Sequence, residues 1–324
     1  MTLTVDVELL REFEEHLNPA KPEESSISAR VLGYGEMTTV FEIPDISSEE
    51  IAFKRMPLFD DQTQINDYVA LYNRYNELLQ DKIGIQVPEY GAQEVVTEKG
   101  RLVLYLFQRK VPASSVCHHI IREADDKAVT ALVVRVLREL NKVWEFNQKN
   151  RPETQVGFDG QISNWVANSY GAEDTDITEI TDLSYLDTST PLIRDSGIEQ
   201  LNALLFLKPA PPILRWILKK RYLQEILDRY YDLRLVVTDI IANFYKEKRE
   251  ELIPSLIPVA NDFFANKAAI PALLPITEHE VQAYYKDDAS TWKLYLRARR
   301  LHRFIKGKIL RRYYPFILPG KIER

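Results

Sequence analysis

The sequence predicts an α+β protein in two unequal parts, a small antiparallel sheet carrying one helix and then a larger, mainly helical part. Three observations carry this. Between residues 29 and 111 the apolar residues run in short β-rich stretches separated by Gly and Pro turns, with one helix-period stretch among them. After Pro112 the spacing is helical over most of the remaining length, and several of the helices are bounded by Pro. The 324 residues amount to roughly two domains at about 150 residues each, enough to bury a core without disulfides or metals.

Residues 1–28 read as a short acidic helix, Val5 to Leu17, and a polar linker from Pro19 to Ser28. Strands are expected at Arg30–Leu32, Thr39–Ile43 and Ile51–Lys54, broken by Gly33-Tyr34-Gly35 and Pro44-Asp45. A helix from about Gln62 to Lys82 follows, because Tyr68, Leu71, Tyr72, Tyr75, Leu78 and Leu79 recur on one face. Two further strands, Gln93–Thr97 and Leu102–Gln108, are joined by a turn at Lys99-Gly100. The helical part, residues 112–324, opens with a periodic helix from Ala128 to Asn147 that Arg151-Pro152 ends. An irregular stretch, Val156–Asn164, is flanked by β-like runs at Asn164–Val166 and Ile180–Leu186, with an extended hairpin expected around residues 170–174. From about Gly197 the reading is helical, at Leu214–Tyr231, Leu233–Arg249, Thr277–Tyr285 and Ser290–Leu310.

Composition narrows the class. With 11 Gly and 17 Pro the chain is neither collagen-like nor low-complexity. The single cysteine, Cys117, excludes a disulfide framework and a Cys-based zinc site, and fits a reducing cytoplasm. No transmembrane helix is expected, and the start of the chain lacks the basic and apolar run of a signal peptide. The net charge of −6 is uneven: residues 291–324 hold eleven Lys/Arg against Glu323 alone, leaving 31 bases and 47 acids before them. That basic segment reads either as a solvated helix face or as a surface for an anionic partner, whether nucleic acid, lipid or the protein's own acidic body. His118 and His119, neighbours on a helix, are expected to diverge, and Cys117 to be a core residue.

Three segments make chemical sense together. Leu32-Gly33-Tyr34-Gly35 at a strand turn lets backbone amides approach phosphate oxygens without a Cβ in the way. In Ile51-Ala52-Phe53-Lys54, alternation puts Ala52 and Lys54 on one face, leaving room for a flat base beside a fixed cation. Asp159 and Asn164, five apart on a loop, can divide the duties of orienting a hydroxyl and binding a cation. Asp187 at a strand end can complete a hard-oxygen shell suited to Mg²⁺.

This order resembles the protein-kinase-like superfamily, which includes protein kinases and aminoglycoside-type small-molecule phosphotransferases. Leu32-Gly33-x-Gly35-x-x-Thr38-x-Val40 is similar to the Gly-rich loop, and Ala52-Phe53-Lys54 to the Ala-x-Lys of the third strand. Asp159 and Asn164 match the Asp-x-x-x-x-Asn of the catalytic loop, and Asp187 the metal-binding Asp before the activation segment. The resemblance covers about residues 27–195. It implies a bilobal fold, with ATP and Mg²⁺ as cofactors. Gly33, Gly35, Val40, Ala52 and Lys54 would contact the nucleotide, and Gln108 would lie in the link between lobes, where backbone groups meet the adenine edge. Asn164 and Asp187 would bind metal, and Asp159 the acceptor hydroxyl. The acceptor is then a small-molecule hydroxyl, since Thr188 to Asp195 is short for a regulatory loop. The alternative is a pseudokinase or nucleotide-binding regulatory module.

The sequence departs from the family pattern in several places. Gly157-Phe158 stand where His-Arg or His-Gly precedes the Asp, and Thr188-Ser189 follow Asp187 in place of Phe-Gly. Thr188, Ser189 and Thr190 are read as available hydroxyls. Asp182 is a rival to Asp187 for the metal role. Glu77, the one Glu between Lys54 and Pro88, lies about 200° from Tyr75 on the helix and so away from the cleft. Lys54 is then left to pair with Asp187 or with phosphates alone.

Overall fold

The structure, a computed structural model, describes residues 3–35, 38–47, 50–168, 170, 177–178, 181–212, 214–216 and 223–319. Its first part is a five-stranded antiparallel sheet: β1 (Arg30–Tyr34), β2 (Thr39–Glu42), β3 (Ile51–Met56), β4 (Tyr90–Val96) and β5 (Leu102–Arg109), in the order β1-β2-β3-β5-β4. Directly opposed residues of neighbouring strands share a face. Phe41, Phe53 and Phe107 are opposed across β2, β3 and β5, and all are buried on the outer face. Helix α1 (Val7–His16) covers that face, its first turn capped by the Asp6 carboxylate, which accepts from Glu8 N and Leu9 N. Phe13 meets Phe41 edge-on, with centroids 5.6 Å apart. Leu17, at the end of the expected helix, and Ile27, in the stretch expected as a linker, are buried in the same cluster, so the linker is anchored to the core at Ile27.

The inner face meets helix α2 (Gln62–Glu77), capped by Asp61 and prolonged as a π-turn to Ile83. Gly84, at φ 78°, ends it in the left-handed region that glycine tolerates. Ile65, Tyr68, Tyr72 and Tyr75 face inward and Glu77 is exposed, as the helical phase requires.

The second part is built on α4 (Asp126–Asn150), which follows the short α3 (Cys117–Glu123). Its periodic Val129, Leu132, Val136, Leu140 and Val143 are fully buried. Strands β6 (Thr154–Val156), β9 (Ile193–Asp195) and β10 (Ile198–Glu199) form a small sheet, and β7 (Trp165–Ala167) pairs with β8 (Leu183–Tyr185) as a hairpin. Residues 171–174 of the expected hairpin tip lie outside the described residues. The β9–β10 pair departs from the all-helical reading after Gly197, which turns the chain at φ 80°. Then come α5 (Leu223–Arg229), α6 (Leu233–Lys246), α7 (Ile253–Asn266) and α8 (Glu278–Phe304). Of the expected Leu214–Tyr231 helix, residues 217–222 lie outside the described residues. Helix α8 replaces two expected helices. Its start carries a Thr277/Glu280 capping box, and Lys286-Asp287-Asp288, which interrupts the apolar spacing, contains no breaker.

The chain then runs back to the sheet. Tyr314, Phe316 and Leu318 pack in one cluster with Met56, Leu58, Ile65 and Tyr72, while Ile317 joins the α1 side. This is a bilobal α+β fold, with a small antiparallel-sheet lobe and a mainly helical one.

Candidate functional site

The sheet's inner face meets the segment after β8 through Lys54 and Asp187, and that segment is tied to the loop after β6 by Leu186 N donating to Asn164 O. Val40 stands opposite Lys54, and Ala52 opposite Gln108, so all four share the inner face. Gly35 N donates to Thr38 O (3.0 Å) and closes the β1–β2 turn. A Cβ on Gly35 would lie 2.7 Å from Thr38 Oγ1 and 4.0 Å from Lys54 Cε, so the turn roofs the lysine and has no room there for a side chain. Gly33 differs, since a Cβ on it would meet nothing within 4 Å; it follows a register shift in β1.

Lys54 Nζ donates to Asp187 Oδ1 at 2.8 Å and to Ser189 Oγ, and Ser189 Oγ in turn donates to Asp187 Oδ1 at 2.7 Å. Burial alone would raise the Asp187 carboxyl. The Lys54 charge and the hydrogen bonds from Lys54 and Ser189 outweigh it and hold the group below its ordinary range. Helix α2 supports this knot with phenols: Tyr68 OH donates to the Ser189 carbonyl, and Tyr75 OH to the Gly157 carbonyl at 3.0 Å. Thr188 and Ser189, expected as available hydroxyls, are buried.

The loop from Gly157 to Asn164 is held by close packing. A Cβ on Gly157 would lie 2.8 Å from the Tyr231 ring, and one on Gly160 would lie 2.7 Å from Val236 Cγ1. Phe158, where the family pattern has a basic residue or glycine, is fully buried between Tyr185 (4.2 Å between centroids) and Trp165 (5.7 Å). The Asp159 carbonyl accepts from Tyr185 OH (3.0 Å) and Asn164 Nδ2 (3.3 Å), and Leu186 N donates to Asn164 O (2.8 Å). These bonds tie Asp159 and Asn164 to the strand end that carries Asp187. Asp182 is exposed at the entry to β8.

The donor set fits a hard divalent cation. Asp187 and the Asn164 amide oxygen would offer hard oxygen donors, and Asn164 Nδ2 is already engaged by the Asp159 carbonyl. Among the described residues no three His, Cys, Asp or Glu side chains gather as a metal cluster, so a cation here would share its shell with a phosphate-bearing ligand. Cys117 is buried, and burial raises its thiol, so it is no nucleophile. The His118 and His119 rings do not diverge as expected; their centroids are 4.1 Å apart at the start of α3.

A small recess opens beyond Asp159, lined by Gln161, Asp239, Asn243, Lys246, Tyr284 and Asp288. Burial, with help from the charges of Asp159 and Asp288, pushes the Asp239 carboxyl up to about 8. Asn243 is 5% exposed and its Oδ1 has no hydrogen-bond partner. Sequence reasoning passed over both residues. The available signal was a carboxylate and an amide interrupting the apolar run Leu235 to Phe244. The folded chain holds the Asp239 proton up to about pH 8, whereas an unfolded one releases it near pH 3.9. The group's contribution to stability therefore falls as pH rises through that window. Asp239→Asn is expected to flatten this fall, gaining on wild type in thermal denaturation at about pH 8 relative to about pH 5. Parallel pH profiles for the two proteins would show that Asp239 is not buried in its protonated form.

Residues 15–303 match a family model described as a family of unknown function, DUF6206. No curated protein matches the chain. Among solved structures, it is similar to the GDP complex of wild-type aminoglycoside 2'-phosphotransferase-IIIa, at 12% identity and TM-score 0.35, over 83% of this chain and 95% of that one. It is also similar to WaaP in complex with acyl carrier protein, at 15% identity and TM-score 0.33, over 78% and 99% of the two chains. Overlaps this low leave any functional reading to the chain's own cleft.

Proposed function

The chain belongs to the DUF6206 family, and we propose that it is a nucleotide-dependent phosphotransferase acting on a small-molecule hydroxyl. One observation carries the reading: Lys54 and Asp187, 133 positions apart, meet at 2.8 Å beside the loop bearing Asp159 and Asn164. Phosphoryl transfer is mainly positioning and charge stabilisation, and these residue types supply both. Lys54 holds the phosphates under the Gly33/Gly35 turn, and Val40 and Ala52 flank the base. Gln108, expected in the link between lobes, lies within β5 with its backbone paired between Ala52 and Tyr90, so its side chain and not its backbone faces the base. Asp187 and Asn164 would hold Mg²⁺, which when bound neutralises phosphate charge. Asp159 orients the acceptor hydroxyl and takes its proton.

The recess beyond Asp159 supports an acceptor carrying an ammonium group beside its hydroxyl. A cation there would ionise Asp239 and engage the unpartnered Asn243 oxygen. A second reading, nucleotide binding without turnover, is favoured by the closed Lys54–Asp187–Ser189 contact and by buried Phe158.

The test is a thermal-shift titration with ATP and with GTP, each with and without Mg²⁺, on wild type, Lys54→Met and Asp187→Asn. Nucleotide at 100 times its Kd adds about 2.7 kcal/mol to wild type. The expected result is an Mg²⁺-dependent shift lost in both variants. A shift indifferent to Mg²⁺ and to Asp187 supports the non-catalytic module, and no shift with either nucleotide overturns both readings.

A further inference from the structure

Helix α8 changes character along its length. Its second half turns Trp292, Leu296, Arg299 and His302 inward, all buried. They are fixed to the body by Arg299 Nη2 donating to Ile317 O (3.1 Å) and His302 Nδ1 to Pro209 O (2.9 Å). The opposite face is left to solvent and is not polar: Leu294 is 59% exposed, Leu301 51% and Phe304 56%. At 100° per residue these three lie with Lys293 and Arg297 within about 100° of arc. The turn that follows exposes Ile309 and Leu310 between Lys308 and Arg311. From Thr291 to residue 319 the sequence contains no acidic residue, whereas the chain before Thr291 carries a large acidic excess.

We propose that this face docks on the surface of a bilayer containing anionic lipid. A helix lying in the headgroup region needs an apolar stripe to enter the acyl boundary and cations beside it to meet lipid phosphates, and this face supplies both. Charge complementarity also sets the orientation, because the acidic body is repelled by the surface that attracts the basic end. Like charges already crowd the segment. The Lys306 amine is held below its ordinary value by burial and by Arg215 and Arg312, a strain that an anionic surface relieves. Nucleic acid would account for the cations but has no use for Leu294, Leu301 and Phe304. No helix of the described residues is long and apolar enough to cross a membrane, so the contact is peripheral.

The experiment is co-sedimentation of the full chain with phosphatidylcholine vesicles, with and without roughly one part in three phosphatidylserine. Three proteins are compared: wild type, Arg297→Glu/Lys308→Glu, and Leu301→Ser/Phe304→Ser. All four positions are exposed, and an unchanged melting temperature confirms that each variant is folded. Wild type is expected to sediment with the anionic vesicles only, and each double variant to bind about tenfold or more weakly. Equal binding to neutral vesicles, or none to anionic ones, overturns the proposal. So does binding that survives the Leu301/Phe304 change while a DNA or RNA duplex competes for it, which would assign the face to nucleic acid.

Discussion

Glu14→Ala is expected to destabilise the chain by about 3–5 kcal/mol, the cost of leaving a buried charge without its partner. Glu14 lies on α1 and Arg55 on β3, and both are buried. Arg55 Nε donates to Glu14 Oε2 (2.6 Å) and Nη2 to Oε1 (2.7 Å), a two-pronged contact, while Tyr105 OH donates to the same carboxylate (2.6 Å). The remaining prong, Nη1, donates to the Pro315 carbonyl at 2.6 Å. Burial would favour loss of the Arg55 proton, but the Glu14 charge and hydrogen bonds outweigh it and raise the guanidinium above its ordinary value. Removing Glu14 therefore strands a cation that cannot neutralise itself. The pair is not thereby a net source of stability. Replacing both partners by apolar residues, as in Glu14→Leu/Arg55→Met, is expected to recover most of the loss. Urea denaturation of the two variants checks this. A single-variant cost below about 1 kcal/mol, the range of exposed ion pairs, would sink the idea that this pair is dry.

Much of the sheet was legible because strand alternation is local. Ala52 and Lys54 fall on the inner face by period alone, and the register with Val40 follows from β2–β3 pairing, whereas Gln108 comes opposite Ala52 only through the non-adjacent β3–β5 pairing. Helical phase was equally direct for Glu77, which points away, so that α2 reaches the site through Tyr68 and Tyr75. What escaped depends on distant surfaces. Leu10, Phe13, Glu14 and Leu17 follow the i, i+3, i+4, i+7 spacing of one face, so a carboxylate stood in an apolar stripe. Nothing near it in sequence indicates Arg55 as its partner. The run from Tyr314 to Leu318 is too short to carry a period, and only the closed fold shows that it packs against α2 and the sheet. The recess likewise is assembled from α6, α8 and the loop, three segments with no local signal linking them.

Asp159→Asn is expected to lower turnover by about 10²–10⁴-fold, the usual contribution of a positioned acid or base, while leaving Mg²⁺-nucleotide stabilisation close to wild type. The separation follows from how the loop is held. Tyr185 OH and Asn164 Nδ2 donate to the Asp159 carbonyl, not its side chain, and Gln161 N can donate to an amide oxygen as it does to Oδ1 (3.2 Å). The loop should therefore keep its shape while losing the group proposed to accept the proton. Lys54→Met should behave oppositely. It removes the cation expected to hold the phosphates and leaves Asp187 without the charge that lowers its carboxyl, so nucleotide stabilisation and turnover fall together. Nucleotide hydrolysis, with water standing in for the acceptor hydroxyl, gives a common readout for wild type and both variants. Wild-type turnover in Asp159→Asn would remove Asp159 from the reaction. Nucleotide binding by wild type without hydrolysis, even with added hydroxylated amines, would favour the module that binds and does not transfer. Two variants that fail at different steps, one after nucleotide binding and one before it, are what a cleft that divides positioning from proton transfer must produce.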